Sequence, residues 1–162
     1  MVYIRGDTHG AISAFSGEME DAAWTSTDTL LVAGDFGFML GHSPATEREK
    51  LNKLAKKPYQ ILFCAGNHEN YDWLCSLPEE ERHGAPVRRV REHIFCLQNG
   101  YIYTIENKTF SSWAERPLSS KTGTSVLHWR PRAAPKPGFR RSCPLRRSIA
   151  GVKSFFVASI GV

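Results

Sequence analysis

Three apolar runs, each closing on a glycine, set the rhythm of the amino-terminal part of the chain. Val2-Tyr3-Ile4 leads to Gly6, Thr29-Leu30-Leu31-Val32-Ala33 leads to Gly34, and Tyr59-Gln60-Ile61-Leu62-Phe63-Cys64-Ala65 leads to Gly66. Short apolar runs bounded in this way predict buried strands. Between them, residues 11–24 mix apolar and acidic positions at helical spacing. Residues 46–57 predict an exposed helix with Leu51 and Leu54 on one face, its acids early and its lysines late, as the helix dipole favours. Residues 71–77 predict a short helix stopped by Pro78. Residues 87–90, 93–97 and 101–105 read as shorter strands, with Asn99-Gly100 as a hairpin turn between the last two. Residues 154–162, with Phe155-Phe156-Val157 and Ile160, have the composition of a terminal strand that pattern alone does not place.

The order strand–helix–strand–helix–strand predicts an α/β fold with a mostly parallel sheet and right-handed crossovers. The strand-closing glycines are 28 and 32 residues apart, one crossover unit each. Residues just past the carboxyl ends of neighbouring parallel strands converge on one rim, where such sheets bind ligands.

The chemistry of this sequence lies at that rim. The first strand runs into Asp7-Thr8-His9-Gly10, the second into Gly34-Asp35-Phe36-Gly37, and the third into Gly66-Asn67-His68-Glu69. Asp7 and His9 alternate in an extended segment and can turn toward one ion. Asp35 has two carboxylate oxygens and can bridge two cations, while Asn67 offers a neutral amide oxygen. A mixed oxygen and imidazole set suits divalent Mn, Fe or Zn, and a pair of such ions can clamp a phosphoryl group in transfer. Any one of these short pieces alone is commonly a turn or a helix cap; three in order, one crossover apart, form a site. Phe36, Phe38 and Met39 read as packing for the second loop, and Tyr71 and Trp73 as anchors for the helix that follows the third.

The three segments resemble the first three signatures of the calcineurin-like metallophosphoesterases, in the small bacterial and phage type, over residues 1 to about 110. That resemblance implies an αββα sandwich of two sheets flanked by helices. It implies that Asp7 and His9 bind one metal ion, that Asp35 bridges two, that Asn67 binds the second, and that His68 acts in catalysis as proton donor or charge stabiliser. It implies hydrolysis of phosphate mono- or diesters, so the expected partner is a phosphate-ester substrate. The family's later histidines, one after a fourth strand and then a Gly-His-x-His segment, are missing here. His83, His93 and His128 stand in other settings and read as solvated surface residues, and His42 as a loop residue. The expected consequence is an impaired second metal site and a weak or inactive enzyme.

Charge sharpens the division at residue 110. The whole chain of 162 residues carries a formal +5, but residues 1–110 sum to −4 and residues 111–162 to +9, with five of the nine prolines in that shorter part. Two domains are therefore expected, 1–110 as the amino-terminal part of a phosphoesterase and 111–162 as a basic Pro/Arg-rich tail, disordered or non-native. Shifting the reading frame near Ser111 permits the family's Gly-Gly-Ala-x-Ser pattern, so the expectation is a fold left incomplete at its carboxyl end by truncation or a frameshift. Two other functions fit parts of the chain. One is nucleic-acid binding through the tail, which would weaken with salt; the tail's aromatics are scattered rather than set out as a stacking platform. The other is an inert truncated relic. No apolar run reaches the ~18 residues of a membrane span, and the first residues lack the pattern of a signal peptide. The expectation is therefore no membrane and a cytoplasmic location, with Cys64, Cys75, Cys96 and Cys143 reduced.

Overall fold

The computed structural model describes residues 1–16, 23–41, 43–66 and 69–114, together with the backbone of a strand at 154–159. The first three predicted strands are present as β1 (Val2–Arg5), β2 (Thr29–Val32) and β3 (Gln60–Cys64). They pair in parallel, β1 on β2 and β2 on β3. The helix α1 (Pro44–Leu54) starts two residues before the predicted one, with Pro44 in its first turn, where proline's missing N–H costs nothing. The short helix α2 (Tyr71–Ser76) is capped by the Asn70 side chain, which accepts from the Trp73 amide at 3.0 Å. The segment expected as a helix over 11–24 forms a 3-10 turn at Ile12–Phe15, and residues 17–22 lie outside the described set.

Between α2 and the fourth parallel strand the chain inserts a hairpin of β4 (Glu79–Arg82) and β5 (Ala85–Arg91), then returns as β6 (Ile94–Leu97). The first sheet is ordered β1-β2-β3-β6-β5-β4. β6 is parallel to β3, β5 is antiparallel to β6, and β4 is antiparallel to β5. β4 had no hydrophobic signature because Glu-Glu-Glu-Arg forms the outer edge, where charge discourages further pairing. A second sheet contains β7 (Ile102–Ile105), β8 (Lys108–Ala114) and β9 (Ser154–Ser159) in that order, antiparallel throughout. The predicted terminal strand thus has a place, beside β8. β8 itself runs across residue 110 without a break.

Asn99-Gly100 does not close a hairpin. β6 already has a neighbour on each side, β3 and β5, so no edge remains for β7. The turn instead hands the chain from the first sheet to the second: the Gly100 amide donates to the Ser112 carbonyl at 2.7 Å, and the Ser112 amide to the Tyr101 carbonyl at 3.1 Å. The actual hairpins among the described residues turn at His83-Gly84, Glu92-His93 and Glu106-Asn107. In the first and last of these both residues have positive φ, the geometry of a two-residue turn that matches strand twist.

Side-chain alternation assigns each central strand's residues to two cores. Leu30, Val32, Ile61, Phe63, Ile94 and Cys96 face the helices, where they meet Phe15, Leu51, Leu54 and Leu74. Leu31, Leu62, Cys64, Phe95 and Leu97 face the second sheet, where they meet Tyr103, Ile105 and Phe110. Strands buried on both faces read as continuous apolar runs. Each such side chain contributes about 1.5–3 kcal/mol by leaving water. The layers are helix, sheet and sheet, an α/β sandwich with a mostly parallel main sheet. Cys64 and Cys96 are free and buried. Cys75 is disulfide-bonded, against the expectation of four reduced thiols; it stands on α2 and is only partly buried, where another sulfur can reach it.

Candidate metal centre

The carboxyl ends of β1 and β2 are held together by backbone hydrogen bonds before any side chain is considered. The amides of Thr8 and His9 both donate to the Asp35 carbonyl, at 3.1 and 2.9 Å, and the Gly10 amide donates to the Phe36 carbonyl at 2.9 Å. The buried Thr8 hydroxyl donates to the same Phe36 carbonyl at 2.8 Å. Gly10 and Gly37 pack backbone against backbone. A Cβ on Gly37 would stand 2.6 Å from the Gly10 nitrogen, so neither position has room for a side chain.

This lacing brings the predicted ligands together. One donor atom from each of Asp7, His9 and Asp35 lies within 4.8 Å of the others. His9 Nε2 and Asp7 Oδ2 are 3.9 Å apart, and both side chains are more than half exposed. Two donors on one ion stand at most about 4.4 Å apart, since each sits about 2.2 Å from it, so small rotations of these exposed side chains suffice to close on a divalent cation. His9 and Asp35 have φ of 45° and 33°, the left-handed region that residues with side chains seldom occupy. Such conformations cost on the order of 1–3 kcal/mol each and gather at functional sites. Asn67 and His68, the other two expected site residues, lie outside the described residues, as do His42 and His128.

His83 and His93 stand at the other end of the sheet. His83 Nε2 is 2.9 Å from Gln60 Oε1, and the His93 carbonyl accepts from the Ile61 amide at 2.8 Å, both at the start of β3. Neither approaches the rim. The reading of His83 as a solvated surface residue is corrected, however. It is half-buried in its turn, and burial, with Arg82 beside it, holds its imidazole pKa below the ordinary value.

Sequence reasoning quoted Glu69 in the third segment without giving it a role. It is a buried carboxylate whose Oε1 accepts from the Gly37 amide at 2.8 Å and whose Oε2 accepts from the Gly66 amide at 2.6 Å. Burial pushes its pKa up to about 7, opposed by those amides and reinforced by the charge of Asp35. An acid three residues after the strand-closing Gly66 was the available signal. Lys50, on α1, was also unremarked; its ammonium donates to the Gly10 carbonyl at 3.1 Å and ties the helix to the first loop. Phe36, Phe38 and Met39 are buried as predicted. Tyr71 and Trp73 pack against the same core, with the Tyr71 hydroxyl donating to the Gly66 carbonyl at 2.6 Å.

A separate cleft of about 300 Å³ is lined by Phe38, Met39, Glu47, Arg48, Trp73 and Arg91 among others, and by none of Asp7, His9 and Asp35. Its walls come from the segment that follows Asp35, from α1, from the start of α2, and from Arg91 at the end of β5, level with the start of β3.

Against known families, the model for calcineurin-like phosphoesterases matches residues 2–142, and the chain belongs to that family. The matched range continues past the boundary drawn at residue 110 from composition. No curated protein and no solved structure matches the chain.

Proposed function

We propose that this chain, as a member of the calcineurin-like phosphoesterases, hydrolyses a phosphate mono- or diester with the help of divalent cations at the Asp7–His9–Asp35 rim. The observation that carries the reading is the convergence of those three donors within 4.8 Å at the ends of two adjacent parallel strands. Asp7, His9 and Asp35 hold one cation, and Asp35 with Asn67 contributes to a second site poorer in ligands. A bound divalent cation supplies Lewis-acid charge to the phosphoryl group, and Mn, Fe or Zn suits the mixed donor set.

The remaining work belongs to the protein. The Gly10–Gly37 contact and the Asp35 carbonyl fix the carboxylates before substrate arrives, so little reorganisation is needed during reaction. His68 gives a proton to the departing ester oxygen, a task an imidazole performs near neutral pH. The poorer second site makes turnover slow. The test is hydrolysis of an aryl phosphate monoester and diester with added Mn²⁺. Activity is expected in the unmodified chain and absent from Asp35→Ala and His68→Ala; activity that survives both substitutions would overturn the reading.

A further inference from the structure

Glu69 lies under the rim, 7% exposed, and its two oxygens are spent on two different loops. Gly37, which donates to Oε1 at 2.8 Å, is two residues past Asp35; Gly66, which donates to Oε2 at 2.6 Å, immediately precedes Asn67. One side chain therefore spans the loops that carry the bridging carboxylate and the amide ligand. A backbone bond farther from the rim, from the Asn70 amide to the Met39 carbonyl at 2.8 Å, joins the same loops and keeps them from parting altogether. Glu69 acts closer to the ligands, and at Gly66 the spacing is critical: a Cβ there would meet the Asp35 nitrogen at 2.5 Å.

The chemistry of the clamp demands a carboxylate. Both partners are N–H donors, so both side-chain atoms facing them must accept. Glutamine has the same size but only one accepting oxygen, and its NH₂ would face one of the two glycine amides donor to donor. A residue needed only to fill space would tolerate that exchange.

We infer that Glu69 is a positioning residue for the metal centre, setting the separation of the Asp35 and Asn67 loops and through it the affinity for the divalent cation. The inference rests on the reading that Asp35 binds the metal. Its test is Mn²⁺ titration of the full chain, followed by hydrolysis at rising Mn²⁺. Outer groups that orient metal ligands change affinity about 10–100-fold when altered, and Glu69→Gln is expected to weaken Mn²⁺ binding by about that factor, with saturating Mn²⁺ restoring most of the rate. Glu69→Asp keeps both accepting oxygens but falls one methylene short; it is expected to weaken binding as well, and it serves if the glutamine variant does not fold. Leu54→Ala, which opens the helix-side core away from the rim, is expected to lower the melting temperature and leave Mn²⁺ affinity unchanged.

An unchanged affinity in Glu69→Gln or Glu69→Asp, beside a loss in Asp35→Asn, would overturn this inference alone. So would an equal loss of affinity in Leu54→Ala, which would mark general loosening. Failure of the unmodified chain to bind Mn²⁺, or undiminished binding by Asp35→Asn, would overturn the metal reading and this inference with it.

Discussion

Replacing Gly66 with alanine tests the geometry of the rim with a single methyl group. The backbone there needs no unusual φ, so alanine introduces no torsional strain of its own. Its Cβ would stand 2.5 Å from the Asp35 nitrogen and 2.7 Å from the Asp35 Cγ, where ordinary contact begins at 3.4 Å, so the Asp35 loop must retreat by about 0.9 Å. Overpacking of this kind costs about 1–3 kcal/mol of stability, and a displacement of about 1 Å at a catalytic group costs on the order of 100-fold in rate. The expected result is a modest fall in melting temperature with a large loss of Mn²⁺ affinity and of aryl phosphate hydrolysis. Gly84→Ala supplies the contrast. Its φ is +82° with open space around the added methyl, so it incurs strain without touching the rim; that strain is about 1–2 kcal/mol. It is expected to destabilise the chain by a similar amount and leave Mn²⁺ binding intact. The reasoning fails if Gly66→Ala binds Mn²⁺ like the parent, or if Gly84→Ala loses metal to the same degree.

Other expectations follow from the same structure. Burial and Arg82 depress the His83 pKa below its ordinary 6.5, so the unfolded chain binds more protons than the folded one as pH falls through that range, and stability drops on acidification. His83→Asn, which tolerates the left-handed turn, should flatten the dependence of melting temperature on pH between about 5 and 7; an unchanged slope would refute the assignment. The buried Tyr103 hydroxyl accepts from the Gln98 amide and donates to the Pro86 carbonyl, both at 2.7 Å. Tyr103→Phe should therefore cost about 1–3 kcal/mol in denaturant unfolding without altering Mn²⁺ affinity.

Much of the rim could be read from the chain because its signals are local. Asp7, His9 and Asp35 each follow an apolar strand directly, and parallel pairing of β1 with β2 carries them to the same end. Long-range choices were not readable. Asn99-Gly100 has every local property of a hairpin turn, yet β6 was already paired on both sides, and that fact belongs to the whole sheet. β4 is a strand without an apolar residue, stabilised by cross-strand pairs such as Arg89 Nη1 to Glu80 Oε1 at 2.8 Å. Glu69 was in view as a letter but not as a clamp, because its partners are backbone amides, one of them 32 residues away. The strand at 154–159 could be recognised by composition, and its place beside β8 depends on pairing across 39 residues of intervening chain.

The most direct test of the account is the stoichiometry of Mn²⁺ binding to the full chain by equilibrium titration, with Asp35→Asn alongside. The convergence of Asp7, His9 and Asp35, with Asn67 left to a poorer second site, predicts one tightly held equivalent that Asp35→Asn abolishes. No uptake by the unmodified chain, or one equivalent retained by Asp35→Asn, would contradict it.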